Sequence, residues 1–380
     1  AFTIDGTVNG KNLTNIINNS ENGLIVNGAI DGTGITTVKN TKGDLKVNNR
    51  GTITNRRGKL SLLNTNQNGG LYVYRGAKVH NEDNDTHISN NGAKGLNIEG
   101  EVENGRGLDI INEGSDAVRI SGNVHSVGNI NITNTGDKGV RIASTGRVNG
   151  DNNININNTV TKTETSRTEG AVNVEGIVNA NGNLTVNSTN GNLSLGHNQT
   201  ANNLTAGKNI DLTVVDGSIL NNGVEKTLIN AGGNLTMDVT NGTIGEPVRQ
   251  TGLTNSTGIG PKAQGARDFT KSINAKVNGN VKAATKDAAK TGNDLVINYA
   301  AIDSNMNIDT IKADGRVILT VDDDFGNSNT PQGKHKYSMV NANKNGGTNI
   351  EGRGISLIAD NNIGTKDNMI TFVQTDADNY

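Results

Sequence analysis

Apolar residues recur along this chain in short alternating runs that are punctuated by glycine. In each run the apolar residues take the first, third and seventh positions, and glycine takes the fifth. Such runs occupy residues 2–8, 24–30, 96–102, 118–124 and 172–178. Leu96, Val118 and Val140 are equally spaced, whereas the step from Val140 to Val172 is longer. We therefore assign a repeat of about 22 residues and a polar loop inserted at 159–168.

Each repeat carries a second alternating apolar pair about twelve residues after the first. These pairs are Leu108 and Ile110, Ile130 and Ile132, Ile154 and Ile156, and Leu184 and Val186. Apolar residues at every second position have the period of a strand, not of a helix. One repeat cannot bury its apolar side chains alone, but repeats stacked in parallel close a thin core. The pattern predicts an all-β fold, a right-handed parallel β-helix, because parallel crossovers are overwhelmingly right-handed.

Two kinds of corner are expected to join the strands of each coil. At one corner, glycine stands two residues after an apolar residue, at Gly6, Gly28, Gly100, Gly122 and Gly176. We expect glycine there because the chain turns sharply and glycine tolerates a positive φ angle. At the other corner the same offset is occupied by asparagine, at Asn112, Asn134 and Asn158. This fixed offset predicts a ladder of stacked side-chain amides.

The repeat divides the chain into three parts. Residues 1–245 are expected to form regular coils, and strand patterns resume over 295–380. Between them, 246–294 contains Pro247 and Pro261 and loses the alternation, so we expect an irregular excursion, either a flap that lies against the β-helix or a projecting recognition element. Its alanine- and lysine-rich stretch 281–290 predicts a short helix, because these residues are good helix formers.

Composition excludes several classes of protein. Only 32% of residues are apolar and 2% are aromatic, which argues against a thick-cored globular enzyme. The net charge of −2, from 35 basic and 37 acidic residues, argues against a nucleic-acid binder. No apolar run is long enough to span a bilayer, so we expect no membrane insertion by this segment. Cysteine is absent, which suits either a reducing compartment or an exported chain that must stay unfolded in transit.

Two segments of the C-terminal part carry a family resemblance. Gly315–Asp324 and Gly354–Gly364, together with the asparagine- and glycine-rich coils, resemble large secreted bacterial exoproteins of the filamentous-haemagglutinin-like class. More narrowly, they resemble its leukotoxin-type filamentous adhesins. The resemblance implies two-partner or autotransporter secretion through an outer-membrane transporter, a location outside the cell, and a role in virulence. It also implies a host-cell surface protein, matrix or glycan as the binding partner.

The function expected from the sequence is structural and adhesive, not enzymatic. A rigid β-helical rod would present binding surfaces outside a bacterial cell. Two other functions stay open. A secreted, leukotoxin-like cytotoxin would share the same coils, and a β-helix polysaccharide-degrading enzyme would need carboxylates that converge in one groove. The sequence contains no nucleotide-binding or zinc-protease motif, and we expect no cofactor.

Three clusters are candidates for chemistry. Asp322 and Asp324 follow a strand and could share one face, which suits either a cation site or a solvated strand end. The acidic stretch 82–85, near His80 and His87, could also ligate a divalent ion, or be a polar loop. Tyr72 and Tyr74 alternate with apolar residues and should point outward, either to stack on a sugar or to pack against the strand.

Overall fold

The computed structural model describes residues 1–161, 167–198, 200–224, 226–246, 271–286, 293–299, 305–321, 337–359 and 361–375. These residues form parallel strands joined by turns, with no helix among them. They make about 13 turns of a β-solenoid with a spacing of about 25 residues. The predicted all-β parallel β-helix is confirmed, but its coils are on average longer than the predicted repeat. Coil length varies, since the matching amides are 22 positions apart from Asn18 to Asn40 and 26 apart from Asn64 to Asn90.

The chain divides into two compact units, which are described separately. Unit 1 comprises Ala1–Leu193 and Asn203–Leu212, and unit 2 comprises Ser194–Asn202 and Thr213–Tyr380. Each coil of unit 1 passes through three parallel sheets, which we number in the order in which the chain visits them. Residues 162–166 of the predicted loop 159–168 lie outside the described residues.

The strands of unit 1 keep a constant order from coil to coil. The first sheet contains Phe2–Ile4, Leu24–Val26, Leu45–Val47, Leu71–Val73, Leu96–Ile98, Val118–Ile120, Val140–Ile142 and Val172–Val174. The second sheet contains Thr7–Gly10, Ala29–Gly32, Thr52–Asn55, Lys78–Asn81, Glu101–Asn104, Asn123–Ser126, Arg147–Gly150, Ile177–Ala180 and Leu204–Ala206. The third sheet contains Leu13–Asn18, Ile35–Asn40, Leu60–Asn64, Thr86–Asn90, Leu108–Asn112, Ile130–Asn134, Ile154–Thr159 and Leu184–Thr189. Leu193–Leu195 and Ile210–Val215 have residues in both units.

The core of unit 1 is a set of columns of like side chains. Parallel pairing places Leu96 opposite Leu71 on one side and opposite Val118 on the other. Each of these three side chains is at most 1% exposed. Strands of period two place alternate residues inside and outside, so each strand contributes only two or three side chains to the interior. The core is therefore thin and depends on contact between successive coils.

The inward asparagines at the end of the third sheet form a ladder of buried amides. In each step the side-chain Nδ2 donates to the Oδ1 of the next coil, at 2.9 Å from Asn112 to Asn134 and 2.9 Å from Asn134 to Asn158. The ladder also includes Asn18, Asn40, Asn64 and Asn90. Asn158 ends it by donating to Ser188 Oγ at 3.3 Å. The same amides donate to turn carbonyls, so they satisfy buried backbone groups.

The corner glycines are required for a different reason from the one expected. Gly28, Gly100, Gly122 and Gly176 do not have positive φ angles. Instead, their α-carbons lie against the preceding coil. A Cβ would fall 2.1 Å from the Gly6 carbonyl oxygen at Gly28, and 2.0 Å from the Gly100 oxygen at Gly122. At Gly100 and Gly176 the nearest carbonyl oxygen would lie at 2.5 and 2.3 Å. Positive φ angles occur at another corner, just before the first sheet, as at Gly95 and Gly139.

Unit 2 is also built from parallel strands. Its strands are Ile219–Asn221, Ile229–Ala231, Leu235–Thr240, Ile273–Val277, Asn280–Lys286, Leu295–Tyr299, Met306–Ala313, Arg316–Val321, Met339–Asn341, Ile350–Gly352, Gly354–Ala359 and Phe372–Gln374.

The prediction of a short helix at 281–290 is wrong over its described part. Asn280–Lys286 is a strand that pairs in parallel with Leu235–Thr240 and with Met306–Ala313. Val281 and Ala283 point inward, each 1% exposed. This stretch also has period two, and pairing on both sides outweighs the modest helix propensity of alanine. Ile273–Val277 is likewise a strand, so coils continue within the predicted excursion. Residues 247–270 and 287–292 of it lie outside the described residues.

The close approach at the glycine corner predicts a position-dependent effect of alanine. We expect Gly122→Ala to lower the free energy of unfolding by about 2 kcal/mol or more, because the new methyl group overlaps a backbone oxygen. Gly6→Ala is the matched control, because a Cβ at Gly6 has no neighbour within 4 Å. Urea denaturation of the two variants measures the difference. Equal losses of stability would contradict the close-approach explanation.

The amide ladder predicts a pH-dependent defect for Asn112→Asp. The new carboxylate would be buried and would face the Oδ1 of Asn134 and two carbonyl oxygens, so the folded state would raise its pKa. A carboxyl group whose pKa is higher in the folded than in the unfolded state destabilises the fold as pH rises. The loss in free energy of unfolding should therefore grow between about pH 4 and pH 7. Thermal melts across that range measure it. The outward Asn149→Asp is the control, and a deficit independent of pH would count against the ladder.

Candidate functional site

The outward side of the first sheet in unit 1 carries the chain's paired tyrosines. Coil-to-coil register aligns one outward position on five successive strands, occupied by Lys46, Tyr72, Asn97, Arg119 and Arg141. Each lies between two buried apolar residues, so its side chain points away from the core. We define the tyrosine face as the following residues: Asp44, Lys46, Tyr72, Tyr74, Lys94, Asp116, Arg119 and Lys138.

Tyr72 and Tyr74 form a nearly parallel aromatic pair. Their ring centroids are 5.6 Å apart and the ring planes differ by 7°. The Lys46 ammonium lies 5.9 Å from the Tyr72 centroid, within the range of a cation–π contact. Gly70 makes room for the Tyr72 ring, since a Cβ there would lie 2.7 Å from the phenol oxygen. Both rings are partly exposed, so they offer an apolar surface in an otherwise polar region.

The environment of Tyr72 keeps its phenol protonated. Burial, followed by the negative charge of Asp44, raises the pKa of Tyr72 to about 12. Smaller contributions in the same direction come from Tyr74 and Asp116, while Arg119 opposes them. The Tyr72 side chain is therefore neutral at physiological pH and presents a hydroxyl that can donate a hydrogen bond.

Asp44 is held between two lysines. Lys94 Nζ lies 3.1 Å from Asp44 Oδ1, and Lys46 Nζ lies 3.2 Å from Asp44 Oδ2. The backbone N–H of Gly70 also donates to Asp44 Oδ1, at 3.1 Å. Burial alone would raise the pKa of Asp44, but the two ammonium groups outweigh it and hold that pKa below its ordinary value. The carboxylate is thus fixed in its ionised form beside Tyr72.

Asp116 repeats this arrangement further along the face. Arg119 donates to both carboxylate oxygens, at 3.0 and 3.2 Å, and Lys138 Nζ lies 3.6 Å from Oδ1. The backbone N–H of Ala117 donates to the same oxygen at 2.9 Å. Burial would raise the pKa of Asp116, but Arg119 and the other donors outweigh it and lower that pKa. Each of the two carboxylates is therefore shared by two cations.

A polar groove of about 660 Å³ lies between the second and third sheets of unit 1. Its charged and histidine lining residues are Lys59, Asp85, His87, Arg106 and Asp109. These residues come from three successive coils. Asp109 Oδ1 accepts a hydrogen bond from Asn131 Nδ2 at 2.8 Å, and Asp85 Oδ1 accepts one from the Gly107 N–H at 3.0 Å. The groove can offer hydrogen bonds along the direction of coil stacking, but its lining residues include no phenylalanine, tyrosine or tryptophan.

Two outward carboxylates of the second sheet come together at a lysine. Lys78 Nζ lies 2.8 Å from Glu103 and 3.6 Å from Glu101. His80 Nδ1 is 3.2 Å from Glu103 Oε2 but is poorly aligned for a hydrogen bond. The Lys78 hydrogen bond holds the pKa of Glu103 below its ordinary value. The acid of a glycoside hydrolase requires the opposite shift, so Glu103 is unsuited to that role.

The structure describes two of the three clusters singled out from the sequence. Asp322 and Asp324 lie outside the described residues. In the acidic stretch 82–85, Glu82 lies 3.7 Å from the Nε of Arg56, and Asp85 faces the groove with His87. Across the described ranges, no group of three or more histidine, aspartate or glutamate side chains is arranged to hold a metal ion.

Sequence reasoning found the tyrosines but missed the charges around them. Lys94 and Asp44 are 50 residues apart, whereas Lys138 follows Asp116 by a single repeat. Only the spacing of Asp116 and Lys138 matches the repeat of about 22 residues, so the sequence signals this pair but does not signal the pairing of Lys94 with Asp44.

A second set of buried amides at the end of the second sheet was also missed, although Asn55, Asn81 and Asn104 share the two-residue offset from an apolar residue.

Comparison with family models, curated proteins and solved structures finds no match to this chain. No helix that could cross a bilayer is found in the described ranges.

The clamped carboxylate of Asp44 predicts an acid-sensitive contribution to stability. Because its folded pKa is below the ordinary value of 3.8, this contribution is present above that pH and is lost as pH falls through the folded pKa. We expect Asp44→Asn to be less stable than the unchanged chain at pH 7, with a smaller deficit at pH 2. Urea denaturation at both pH values measures this. Asp83→Asn, an exposed control, should show no such convergence, and a deficit of Asp44→Asn that was as large at pH 2 as at pH 7 would contradict the ion-pair explanation.

Proposed function

We propose that this chain is a segment of a large secreted or surface-exposed bacterial adhesin. Its β-helical coils form a scaffold that presents binding surfaces to host cells, matrix or glycans. The observation that carries the proposal is the tyrosine face, an aromatic pair and a fixed set of charges displayed on the outside of a regular β-helix. Exposed aromatic and charged groups that the core does not need suit recognition.

The construction of the coils supports this proposal. The buried side chains of unit 1 are mainly leucine, isoleucine, valine and asparagine, and they point inward, away from the outward side chains. Outward positions on successive strands repeat at about 4.8 Å, the spacing of paired strands. A scaffold of this kind can vary its outward residues while it keeps its fold, which is what a displayed binding surface requires.

Export through an outer-membrane transporter belongs to the same proposal. Every coil of unit 1 pairs chiefly with the coils before and after it. Such a chain can fold coil by coil as it emerges, because each new coil needs only its predecessor as a template. The absence of cysteine means that no disulfide has to be formed or reduced on the way.

Binding of the fluorescently labelled chain to mammalian cells tests the proposal. We expect saturable binding that decreases when the cells are first treated with glycosidases. The matched control is Ile120→Asp, which puts a charge at a fully buried core position and should remove the folded surface and the binding together. If the folded chain showed no saturable binding to any host cell or matrix preparation, the adhesin proposal would fail.

A further inference from the structure

Aromatic side chains are scarce in this chain, yet two of them are stacked on one outward surface. Phenylalanine, tyrosine and tryptophan together make up 2% of the residues. Tyr72 and Tyr74 occupy alternate positions along the chain, while Leu71 and Val73 supply the inward side chains. The core therefore does not require the two rings. Because the rings are stacked on each other, they form one partly exposed apolar block, against which the C–H side of a sugar ring can pack.

In the tyrosine face, cationic side chains outnumber carboxylates beside Tyr72. Asp44 is shared by Lys46 and Lys94, and the second carboxylate of the tyrosine face is likewise shared by two cations. Four cations thus surround two carboxylates, which leaves positive charge next to the aromatic pair. An incoming anionic group can bind these cations without displacing either carboxylate, since each ammonium group has three donor hydrogens.

The Tyr74 side of the aromatic pair has a carboxylate, Glu99, in place of an excess of cations. Glu99 directly follows the strand Leu96–Ile98, as Tyr74 follows the paired strand Leu71–Val73, and it accepts a hydrogen bond from Asn97 at 3.0 Å. Glu99 offers acceptors for hydroxyl groups and repels anions. A ligand that fits both sides carries an anionic group near Tyr72 and hydroxyl groups near Tyr74.

We propose that the tyrosine face binds an acidic oligosaccharide, with a sugar ring packed against the stacked pair of Tyr72 and Tyr74 and its carboxylate or sulfate at Lys46 and Lys94. The inference rests on the proposed adhesive function and names its ligand class. Carbohydrate combines the three features that the face requires, namely an apolar ring side, hydroxyl groups and an anionic substituent. A polynucleotide fits less well, because its continuous phosphates would pass close to Asp44 and Glu99.

The face is already ordered before a ligand arrives. Asp44 and Asp116 each accept a backbone N–H as well as their cations, and the strands beneath them are paired on both sides. Binding therefore orders few additional side chains, which favours affinity for a flexible ligand such as a sugar chain.

Titration calorimetry with the whole chain and defined oligosaccharides tests the inference. The probes are a hyaluronan hexasaccharide, which carries carboxylates only, a heparin hexasaccharide, which also carries sulfates, and neutral maltohexaose. We expect one or both acidic sugars to bind at least about tenfold more tightly than maltohexaose, the difference that one good charge contact provides. The comparison between the two acidic probes distinguishes a carboxylate from a sulfate. Equal affinity for the neutral and acidic probes would overturn the inference.

Matched variants tie the binding to this face. Tyr74→Ala and Lys94→Glu should each weaken the bound acidic sugar about tenfold or more, whereas Tyr72→Phe, which keeps the ring, should retain most of the affinity. Lys39→Glu, an outward charge reversal on the third sheet, should have little effect. Thermal melts check that every variant is folded. If folded Tyr74→Ala and Lys94→Glu bound the sugar as tightly as the unchanged chain, the ligand would lie elsewhere and the inference would be wrong.

The cell assay separates this inference from the proposed function. Cell binding that survives Tyr74→Ala and Lys94→Glu would leave the adhesin proposal in place and overturn the tyrosine face as its site. Binding of acidic sugars by the tyrosine face without any binding to cells would support the inference and overturn the adhesin proposal. Tight binding of a host protein or a polynucleotide, with no affinity for any of the sugars, would overturn the inference.

Discussion

In-register stacking of each coil on the one before it is the constraint on which the rest of this structure depends. The interior is so thin that a coil has few apolar neighbours within itself, and most of its burial comes from the coils on either side. Register must then be kept for many coils, since a shift of one residue would turn the apolar side chains outward. The amide ladder reinforces that register, because each buried amide such as Asn112 bonds to the matching amide of the next coil.

The same register that builds the core organises the surface. Where strands pair residue for residue, outward side chains of successive coils lie beside one another, so residues far apart in sequence become neighbours. Lys46 meets Tyr72 in this way, and Lys94 reaches Asp44 over a separation of 50 residues. The two carboxylates of the tyrosine face are fixed both by cations and by backbone N–H groups of this framework. The electrostatics of the surface is therefore a consequence of coil stacking rather than of local sequence.

Alternation and spacing were sufficient to predict the strands and the parallel β-helix, because period-two burial is visible residue by residue. They were insufficient wherever the conformation or the contacts of a residue are determined by the neighbouring coil. Gly122 was assigned to a positive φ angle from its place at a corner, but it is required by a carbonyl oxygen of Gly100 one coil earlier. The stretch 281–286 favours a helix by propensity and is a strand because it is paired on both sides. The charges beside Tyr72 were missed because turn lengths vary, so a fixed period cannot place Lys94 against Asp44.

Inward and outward positions have different roles in this architecture. An inward side chain contacts the coil before it and the coil after it, so a change at Ile120 or Asn112 affects at least three coils. Outward positions such as Tyr74 contribute little to that network, and their side chains can change without altering the register. Stability is thus carried by the inward residues, and the recognition that we propose would be carried by the outward residues that alternate with them. A β-helix can accordingly acquire or lose a binding surface by a few outward substitutions, so for the ligand that we propose, specificity would come from the chemistry of the tyrosine face rather than from the fold.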